Sequence, residues 1–494
     1  MSKFGRILVG VLFIICLAQG IFAATYTVTK VADTSDGTCD ADCSLREAIA
    51  AAGTTADNDV IAFAALFNTA QTITLSGTDL IINNNGTLTI NGTGADILTV
   101  SGNNVSRVFS NNTGAVTIIN NLRVTGGTGV STVTTGRGGG VYNNAGTLTL
   151  NNLVVTGNTA VNGGGTNNAG TAALNINNSV ISNNTATGSG GGSQNFAGNT
   201  LNIFNTTYAN NTSNSTGVGG GAIQANGSLN IINSTFANNT ATGGSGGAIF
   251  YNGTILNLTN TTFSGNIATN NGGGIHRTGT TPLNIRNTII AGNNGVSTSP
   301  DVTGAVTSLG TNIIGNVGTS TGWIGSDLIN TNPMLGALGN NGGIGNTFLP
   351  ATGSPAINAG QNCVTDLSCA TNNPATAVTT DQRGVARPSG GTVDIGAVEV
   401  AAVVNVTVSG KVVTQSGAAI ANAFVSISNM SGVVKTVKTN SFGNFNLTNI
   451  PSGQMYSLNA GAKQFSFTPQ NVNVTGDVTG IVITADSNAL IELK

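Results

Sequence analysis

The sequence predicts an all-β protein: a right-handed parallel β-helix with an N-terminal helical cap, followed by a small β-sandwich. Three observations indicate this fold. One short motif recurs with a spacing of about 27 residues, a glycine run precedes every copy, and only 7% of the residues are charged. A fixed period of this length is typical of solenoids, in which each coil packs against the next.

The repeated motif has the pattern of a β-strand. Each copy reads Leu-x-Ile/Leu-x-Asn, as in Leu174-Asn175-Ile176, so apolar side chains share one face and polar side chains the other. Asn, Gly and Thr dominate the repeat, and they disfavour helix interiors. One unit buries too little apolar surface to fold alone, so the coils must stack about 4.8 Å apart. The anchors are Leu148, Leu174, Leu201, Leu229, Leu256 and Leu283.

Other positions are constant relative to each anchor. Asparagine follows four and ten residues later, and a bulky apolar residue follows seven residues later. The asparagines predict amide ladders that satisfy backbone groups at the bends. We expect three strands and three bends in each coil. The residues predicted as the structural ladder are Asn152, Asn178, Asn205, Asn233, Asn260 and Asn287.

The glycine runs mark one bend of every coil. Glycine permits positive φ and close approach of stacked coils. An anion-binding backbone nest is the alternative, but recurrence in every coil favours a geometric role. The runs are Gly138–Gly140, Gly163–Gly165, Gly190–Gly192, Gly219–Gly221, Gly246–Gly247 and Gly272–Gly274.

Residues 1–23 have the features of a signal peptide. Lys3 and Arg6 form a basic start, Ile7–Leu17 is apolar, and Ala23 is a suitable cleavage position. The apolar stretch is short for a membrane span, so no transmembrane segment is expected after cleavage. The mature chain is expected to be secreted or at the cell surface. Its 14 basic residues (16 minus 2) against 18 acidic residues give a net charge of −4, which does not favour nucleic-acid binding.

The mature chain contains two close pairs of cysteines, Cys39 with Cys43 and Cys363 with Cys369. An even count in an exported chain predicts two local disulfides. Metal binding is the alternative, although no histidine is nearby.

A helical cap is predicted before the first coil. Ser44-Leu45-Arg46-Glu47 is a capping-box pattern that opens a helix through about Ala52. The segment 43–49, which reads Cys-Ser-Leu-Arg-Glu-Ala-Ile, resembles the CSLREA domain of exported bacterial β-helix proteins. Residues 25–30 and 36–40 are similar to that family too, so the resemblance covers roughly residues 25–52.

Several later segments resemble the choice-of-anchor Q domain. The family implies a surface or secreted β-helix with a variable attachment device, although no sorting motif or apolar tail follows here. The matching segments are Asn287–Asn293, Asn312–Gly315, Asn341–Gly343, Ser354–Gly360, Asp381–Gly384 and Asp394–Glu399.

The last stretch of the chain has a different composition. No lysine occurs between Lys30 and Lys411, whereas several follow, and the glycine runs stop. Residues 405–486 resemble the carboxypeptidase regulatory-like domain, a transthyretin-like β-sandwich without peptidase chemistry. The predicted divisions are 1–23 signal peptide, 24–60 cap, 61–300 coils, 301–402 C-terminal coils and cap, and 403–494 sandwich.

Acidic residues are confined to the two ends of the predicted coils. Between Asp96 and Asp301 there is no Asp or Glu, and His276 is the only histidine. The central coils therefore offer neither the paired carboxylates of a glycosidase nor a carboxylate site for calcium. We expect His276 to lie at an exposed bend. No catalytic residue and no cofactor is predicted.

Two acidic groups remain as candidates. The first is a weak calcium site formed by Asp33, Asp36, Asp40 and Asp42, for which a solvated turn is the alternative. The second is interpreted as structural ion pairs that close the last coil, with a catalytic pair as the alternative; it comprises Asp381, Arg383, Arg387, Asp394 and Glu399.

Two functions follow from these features. The first is a structural or adhesin-type β-helix that binds polysaccharide or cell-surface glycan through an Asn/Thr-rich face. The alternative is a carbohydrate-active enzyme, a polysaccharide lyase or glycosidase, with its site at the terminal coils. An ice-binding face is not favoured, because the positions that match Thr149 are asparagines in the later repeats.

Overall fold

The computed structural model describes residues 23–83, 86–296, 300–401, 404–429, 432–452 and 454–486. It has two compact units, Met1–Val400 and Ala401–Lys494. The predicted signal peptide lies outside the described residues apart from Ala23. The first unit is a parallel β-helix and the second a small β-sandwich, which confirms the predicted fold class.

Three long parallel sheets and one short sheet run along the β-helix, and we call them sheets A to D. Sheet A consists of Thr25–Val28, Asp59–Phe63, Thr87–Asn91, Val116–Asn120, Thr147–Asn151, Ala173–Asn177, Thr200–Phe204, Ser228–Ile232, Leu256–Thr259, Leu283–Arg286 and Thr307–Gly310. Sheet B consists of Gln71–Thr74, Leu98–Ser101, Arg123–Thr125, Val154–Thr156, Val180–Ser182, Thr207–Ala209, Thr235–Ala237, Thr262–Ser264, Ile289–Ile290, Ile313–Ile314 and Leu328–Ile329.

The other two sheets complete each coil. Sheet C consists of Leu80–Ile82, Phe109–Asn111, Val141–Asn144, Thr166–Ala169, Ser193–Asn195, Ile223–Ala225, Ile249–Tyr251, Ile275–Arg277 and Val302–Thr303. Sheet D consists of Thr159–Ala160, Thr185–Ala186, Thr212–Ser213, Thr240–Ala241 and Ile267–Ala268. The expectation of three strands per coil is therefore wrong for the fully described central coils, because the two residues after the bend between sheets B and D also pair with their neighbours.

The leucine anchors form one column inside sheet A. Each pairs with the next in register, as Leu201 does with Leu229, and all are buried. The apolar residues seven positions later stack inside sheet B, where the rings of Tyr208 and Phe236 are 5.1 Å apart and those of Phe236 and Phe263 are 4.6 Å apart. The predicted strand pattern and register are confirmed.

The glycine bends have the predicted conformation. Glycines at matching places in successive coils have positive φ, for example 70° at Gly190 and 76° at Gly220. A side chain at Gly191 would overlap the carbonyl oxygen of Gly221 in the next coil. The runs therefore serve backbone geometry and coil stacking.

A continuous ladder of buried amides runs through the bend between sheets B and D. Its members are Asn158, Asn184, Asn211, Asn239, Asn266 and Asn293, the asparagines ten residues after each anchor. The Nδ2 of each donates to the Oδ1 of the next at 2.8–3.0 Å, and each Oδ1 also accepts from a backbone N–H. The ladder ends on Asp301, whose Oδ1 accepts from Asn293 Nδ2 at 2.8 Å and from Asn293 N at 3.0 Å.

The N-terminal cap is the helix Leu45–Ala52, with two short 3-10 helices, Ala65–Asn68 and Asn362–Val364, elsewhere. The predicted capping box is present: Glu47 N donates to Ser44 Oγ, and Ser44 N donates to Glu47 Oε2. Burial by itself raises the pKa of Glu47, but hydrogen bonds from Ser44 and Asp36 outweigh it and lower the pKa. Leu45, Ala48 and Ile49 join the core of the coils.

The C-terminal unit is a sandwich of two sheets with its own apolar core. One sheet has the order Asn444–Pro451, Asn405–Val413, Val478–Thr484. The other has the order Gly432–Lys438, Phe424–Asn429, Gln454–Gly461, Gln470–Val474. Across the described residues, no helix is both long and apolar enough to cross a membrane.

The buried ladder should dominate the stability of the central coils. Replacing Asn239 with alanine removes the acceptor of two N–H groups of Asn211 in the interior, the backbone N–H and one N–H of Nδ2. Each such group costs about 1–3 kcal/mol, so we expect Asn239→Ala to lower the free energy of unfolding by at least about 3 kcal/mol in urea titrations. The control Asn214→Ala removes an exposed amide that accepts one hydrogen bond from Thr242. Equal losses in the two variants would contradict a dominant role for the ladder.

Candidate functional site

Residues 332–400 return along the outside of the β-helix, and we call them the return segment. After the last strand of sheet B, the segment forms the antiparallel hairpin Leu335–Gly339 with Thr347–Pro350. It then contacts coils much earlier in the chain: Gln382 Oε1 accepts from Thr235 Oγ1 at 2.6 Å, and Gln382 Nε2 donates to Thr207 Oγ1 at 2.7 Å. The segment therefore covers the sides of the coils rather than their end.

The charged cluster predicted to close the last coil lies inside the return segment. Arg387 NH1 donates to Glu399 Oε2 at 2.8 Å, and NH2 donates to the carbonyl of Gly396 at 2.8 Å. Arg383 forms the second pair with Asp381, at 2.8 Å. The contacts agree with the interpretation of this cluster as ion pairs. The predicted location at the end of the last coil is wrong, because the pairs hold the return segment against the side of the coils.

Burial raises the pKa of two carboxyl groups in this cluster, Glu399 and Asp394. Burial raises the pKa of Glu399, even though the N–H of Asp394 and the guanidinium of Arg387 donate to it and act in the opposite direction. Burial likewise raises the pKa of Asp394, against hydrogen bonds from Asn358 and Val400. These two carboxylates accept hydrogen bonds from backbone N–H groups and from Arg387, all within the return segment, so we assign the cluster no catalytic role.

A groove runs along the outer face of sheet A, and the return segment forms one of its walls. Two adjoining cavities of about 460 Å³ and 150 Å³ make up this sheet A groove. The floor contains side chains of sheet A that face outward, and the wall is formed by Asn372, Asn373, Pro374, Ala375 and Thr376. From Asn151 to Asn284 the floor crosses six neighbouring strands, which is about 24 Å at 4.8 Å per strand.

Amide side chains form a second ladder on the groove floor. Asn202 Nδ2 donates to Asn175 Oδ1 at 2.8 Å, Asn230 repeats the contact to Asn202 at 2.9 Å, and two further pairs continue it through Asn257 to Asn284. An amide has two N–H donors and two acceptor lone pairs. Asn202, Asn230 and Asn257 each use one donor and one acceptor within the ladder, so a donor and an acceptor remain on each of these three successive strands.

Beside this ladder, a second outward column changes from polar to apolar. Asn151 and Asn177 are followed in register by Phe204 and Ile232, and then by Thr259. Phe204 is partly exposed to the groove. Its other contacts are with an apolar cluster of the return segment that includes Val364, Cys369, Val378 and Val393. The groove floor therefore combines free amide groups with one accessible aromatic ring.

The next residue of that column, Arg286, is covered by the return segment. Its guanidinium donates to the carbonyls of Thr371 at 2.8 Å and Asn372 at 3.1 Å. Burial lowers its pKa, and the side chain is only 3% exposed. No Asp, Glu, His, Lys or Arg is among the residues that line the described groove, so the charge of Arg286 is not offered to a ligand there.

The predicted ladder residues lie at the bend between sheets A and B, where all have φ between 47° and 56°. They form no continuous internal ladder. Asn205 donates to Asn178 and Asn287 to Asn260, but Asn233 donates to the carbonyl of Thr380 and Asn260 to that of Asp394. The predicted ladder is therefore interrupted, because the return segment supplies carbonyl acceptors to Asn233 and Asn260 in place of the next amide.

The weak calcium candidate, Asp33, Asp36, Asp40 and Asp42, is not gathered into one site. Asp33 is held by Arg46 through two 2.8 Å hydrogen bonds, and Asp42 pairs with Lys30 at 2.9 Å. The hydrogen bond from Lys30 is the main cause that lowers the pKa of Asp42. In the described parts of the chain, no three His, Cys, Asp or Glu side chains are placed to hold a metal ion.

The remaining candidates, the four cysteines and His276, take part in disulfide bonds and in side-chain packing. Cys39 and Cys43 are bonded at 2.04 Å, and Cys363 and Cys369 at 2.01 Å. His276 is in a strand of sheet C and packs against Phe250, with ring centroids 5.3 Å apart. The expectation of an exposed bend is therefore wrong, and burial lowers the pKa of His276.

Comparison with known proteins identifies one domain of the chain. Residues 407–486 match the family of the carboxypeptidase regulatory-like domain, so the chain has this domain at its C-terminal end. No curated protein matches the chain. The crystal structure of pectate lyase Pel9A is similar, with a TM-score of 0.42 and 14% sequence identity, over 77% of this chain and 97% of that chain. That similarity concerns the fold alone.

The raised carboxyl pKa values predict how stability changes with pH. A carboxyl whose folded-state pKa exceeds its unfolded value takes up a proton more readily when folded, so its contribution rises as pH falls from neutral toward the ordinary carboxyl range. We expect Glu399→Gln to flatten this rise, by at most about 1.4 kcal/mol per pH unit for one proton. Unfolding free energies between pH 7 and pH 4 measure the effect. Asp96→Asn, whose carboxylate is 95% exposed, is the control, and equal slopes in wild type and Glu399→Gln would contradict the assignment.

Proposed function

We propose that the protein is an exported, non-catalytic β-helix that binds uncharged polysaccharide in the sheet A groove. The observation that carries the proposal is the composition of the groove, which contains free amide donors and acceptors, one accessible ring and no charged lining residue. Sugar hydroxyls donate and accept hydrogen bonds as these amides do, and the apolar face of a sugar packs on an aromatic ring.

The shape of the groove favours an extended chain. Amides recur at every strand, about 4.8 Å apart, which is close to the length of one sugar unit in an extended polysaccharide. A straight ribbon-like glycan can therefore meet several amides in succession, whereas a coiled glycan turns away from the floor. The amides and Phe204 lie on rigid strands, so little ordering is required on binding.

Catalysis receives less support than binding. The end-coil acids Asp301 and Asp327 accept hydrogen bonds from the side chains of Asn293 and Asn312, respectively. Cleavage of a glycosidic bond by paired carboxylates requires both to face the substrate. The alternative function, an enzyme with its site at the terminal coils, therefore lacks an available carboxylate pair among these residues.

Export is part of the proposal and rests on the signal-peptide pattern of residues 1–23. The resemblances to the CSLREA and choice-of-anchor Q domains belong to the same proposal, because both families imply a secreted or surface location. A cell-surface or secreted glycan binder is the role that these features support together.

Incubation of the mature protein with cellulose, xylan, mannan, polygalacturonate and alginate tests the function. We expect retention on at least one neutral polysaccharide, with no new reducing ends and no unsaturated products in the supernatant. Release of such products would favour the enzyme instead. Absence of retention on every member of the panel would overturn glycan binding.

Phe204 provides a direct test of the groove. Phe204→Leu keeps an apolar side chain against the return segment but removes the flat ring, so we expect affinity for a bound soluble oligosaccharide to fall roughly fivefold or more, about 1 kcal/mol or more. Isothermal titration calorimetry measures the change. Phe424→Leu, in the C-terminal unit and 53% exposed, is the control. Unchanged binding by Phe204→Leu would place the ligand elsewhere.

A further inference from the structure

Asp59 is a buried carboxylate at the N-terminal end of the β-helix, and it has only neutral donors. It is 1% exposed. Oδ1 accepts from the backbone nitrogen of Ala24 at 3.0 Å, and Oδ2 accepts from Thr55 Oγ1 at 3.0 Å. No Lys, Arg or His of the described chain forms an ion pair with it. A buried charge without a charged partner is costly.

The surroundings of Asp59 are also negative. Burial raises the pKa of Tyr26, and the charges of Asp59 and Asp57 raise it further. Tyr26 pairs with Ile61, two residues after Asp59 on the neighbouring strand. Two carboxylates thus act on the phenol of Tyr26, and among the described residues no cation forms an ion pair with Asp59.

Ala24 is fixed at the point where the chain enters the fold. Its carbonyl accepts from Val60 N at 2.9 Å, and the following residue, Thr25, pairs with Val60 in sheet A. Ala23, one residue earlier, is exposed. The peptide bond between Ala23 and Ala24 thus separates an exposed residue from the first residue held by the sheet, and Ala23 is the predicted cleavage position.

We propose that removal of residues 1–23 creates the missing cation, because the new α-ammonium group of Ala24 forms an ion pair with Asp59 and stabilises the N-terminal cap. The inference rests on the proposed export. An endopeptidase that processes exported precursors adds water across the Ala23–Ala24 bond. The carbonyl of Ala23 becomes a carboxylate, and the nitrogen of Ala24 leaves as an amine that takes up a proton.

The nitrogen atom needs no movement to make this contact, since it already lies 3.0 Å from Asp59 Oδ1. An α-amino group titrates near pH 7.7–8.0 in model peptides, and an adjacent carboxylate favours its charged form. A charge-assisted hydrogen bond is about twice as strong as a neutral one. Processing therefore converts a neutral contact of a buried carboxylate into an ion pair.

Two forms of the mature chain, both beginning at Ala24, test the ion pair. One has a free α-amino group, and the other is acetylated there, which restores the neutral amide of the precursor without changing the fold. We expect the free form to melt about 1–2 °C higher and the amide of Val60 to exchange about tenfold more slowly. In Asp59→Asn the two forms should be equivalent. Equal melting temperature and equal exchange in the wild-type pair would overturn the proposal.

The N-terminal residue of the exported chain, determined by mass spectrometry, separates this inference from export itself. A chain that begins at Ala24 supports both. An exported chain that begins at another residue overturns the ion pair and leaves export standing. Retention of the uncleaved chain inside the cell overturns both.

Discussion

The structure depends on the direction of its buried amide ladder. Each ladder asparagine from Asn158 to Asn266 donates to the amide of the next coil, so each coil satisfies the polar interior of its neighbour. The last amide of such a series needs an acceptor, and a carboxylate suits this position because it accepts hydrogen bonds and has no N–H that would need a further partner. Asp301 meets that requirement after Asn293. The first acid after the acid-free coils thus terminates the ladder.

The same chemistry has a different consequence on the outer face of sheet A. There Asn202, Asn230 and Asn257 are only partly buried, and the pairs between coils leave one donor and one acceptor of each available. The return segment turns this face into a groove, because it covers one side of the ladder and buries Ile232 and Arg286 beneath it. The amides of the interior ladder satisfy backbone groups, whereas the outward amides of sheet A keep hydrogen-bonding groups that a ligand can contact.

Local pattern predicted much of the fold because the forces involved are local and repeated. The pairing of Leu201 with Leu229, the positive φ of Gly220 and the capping box of Ser44 with Glu47 each depend on residues within one coil and its immediate neighbour. The groove was not predicted. Phe204 departs from an asparagine column, which was a visible signal, but its meaning depends on Ala375, far along the chain, forming the opposite wall.

The sequence by itself determined that coils of about 27 residues stack with like side chains in register, and that the central coils contain no carboxylate. Periodic hydrophobic burial and steric constraints at glycine are sufficient to determine the stacking of the coils. Only the tertiary structure decided which asparagines point inward, where the return segment lies and which carboxylates are already paired. These outcomes depend on hydrogen bonds between distant residues, such as Gln382 with Thr235, and no local periodicity specifies such contacts.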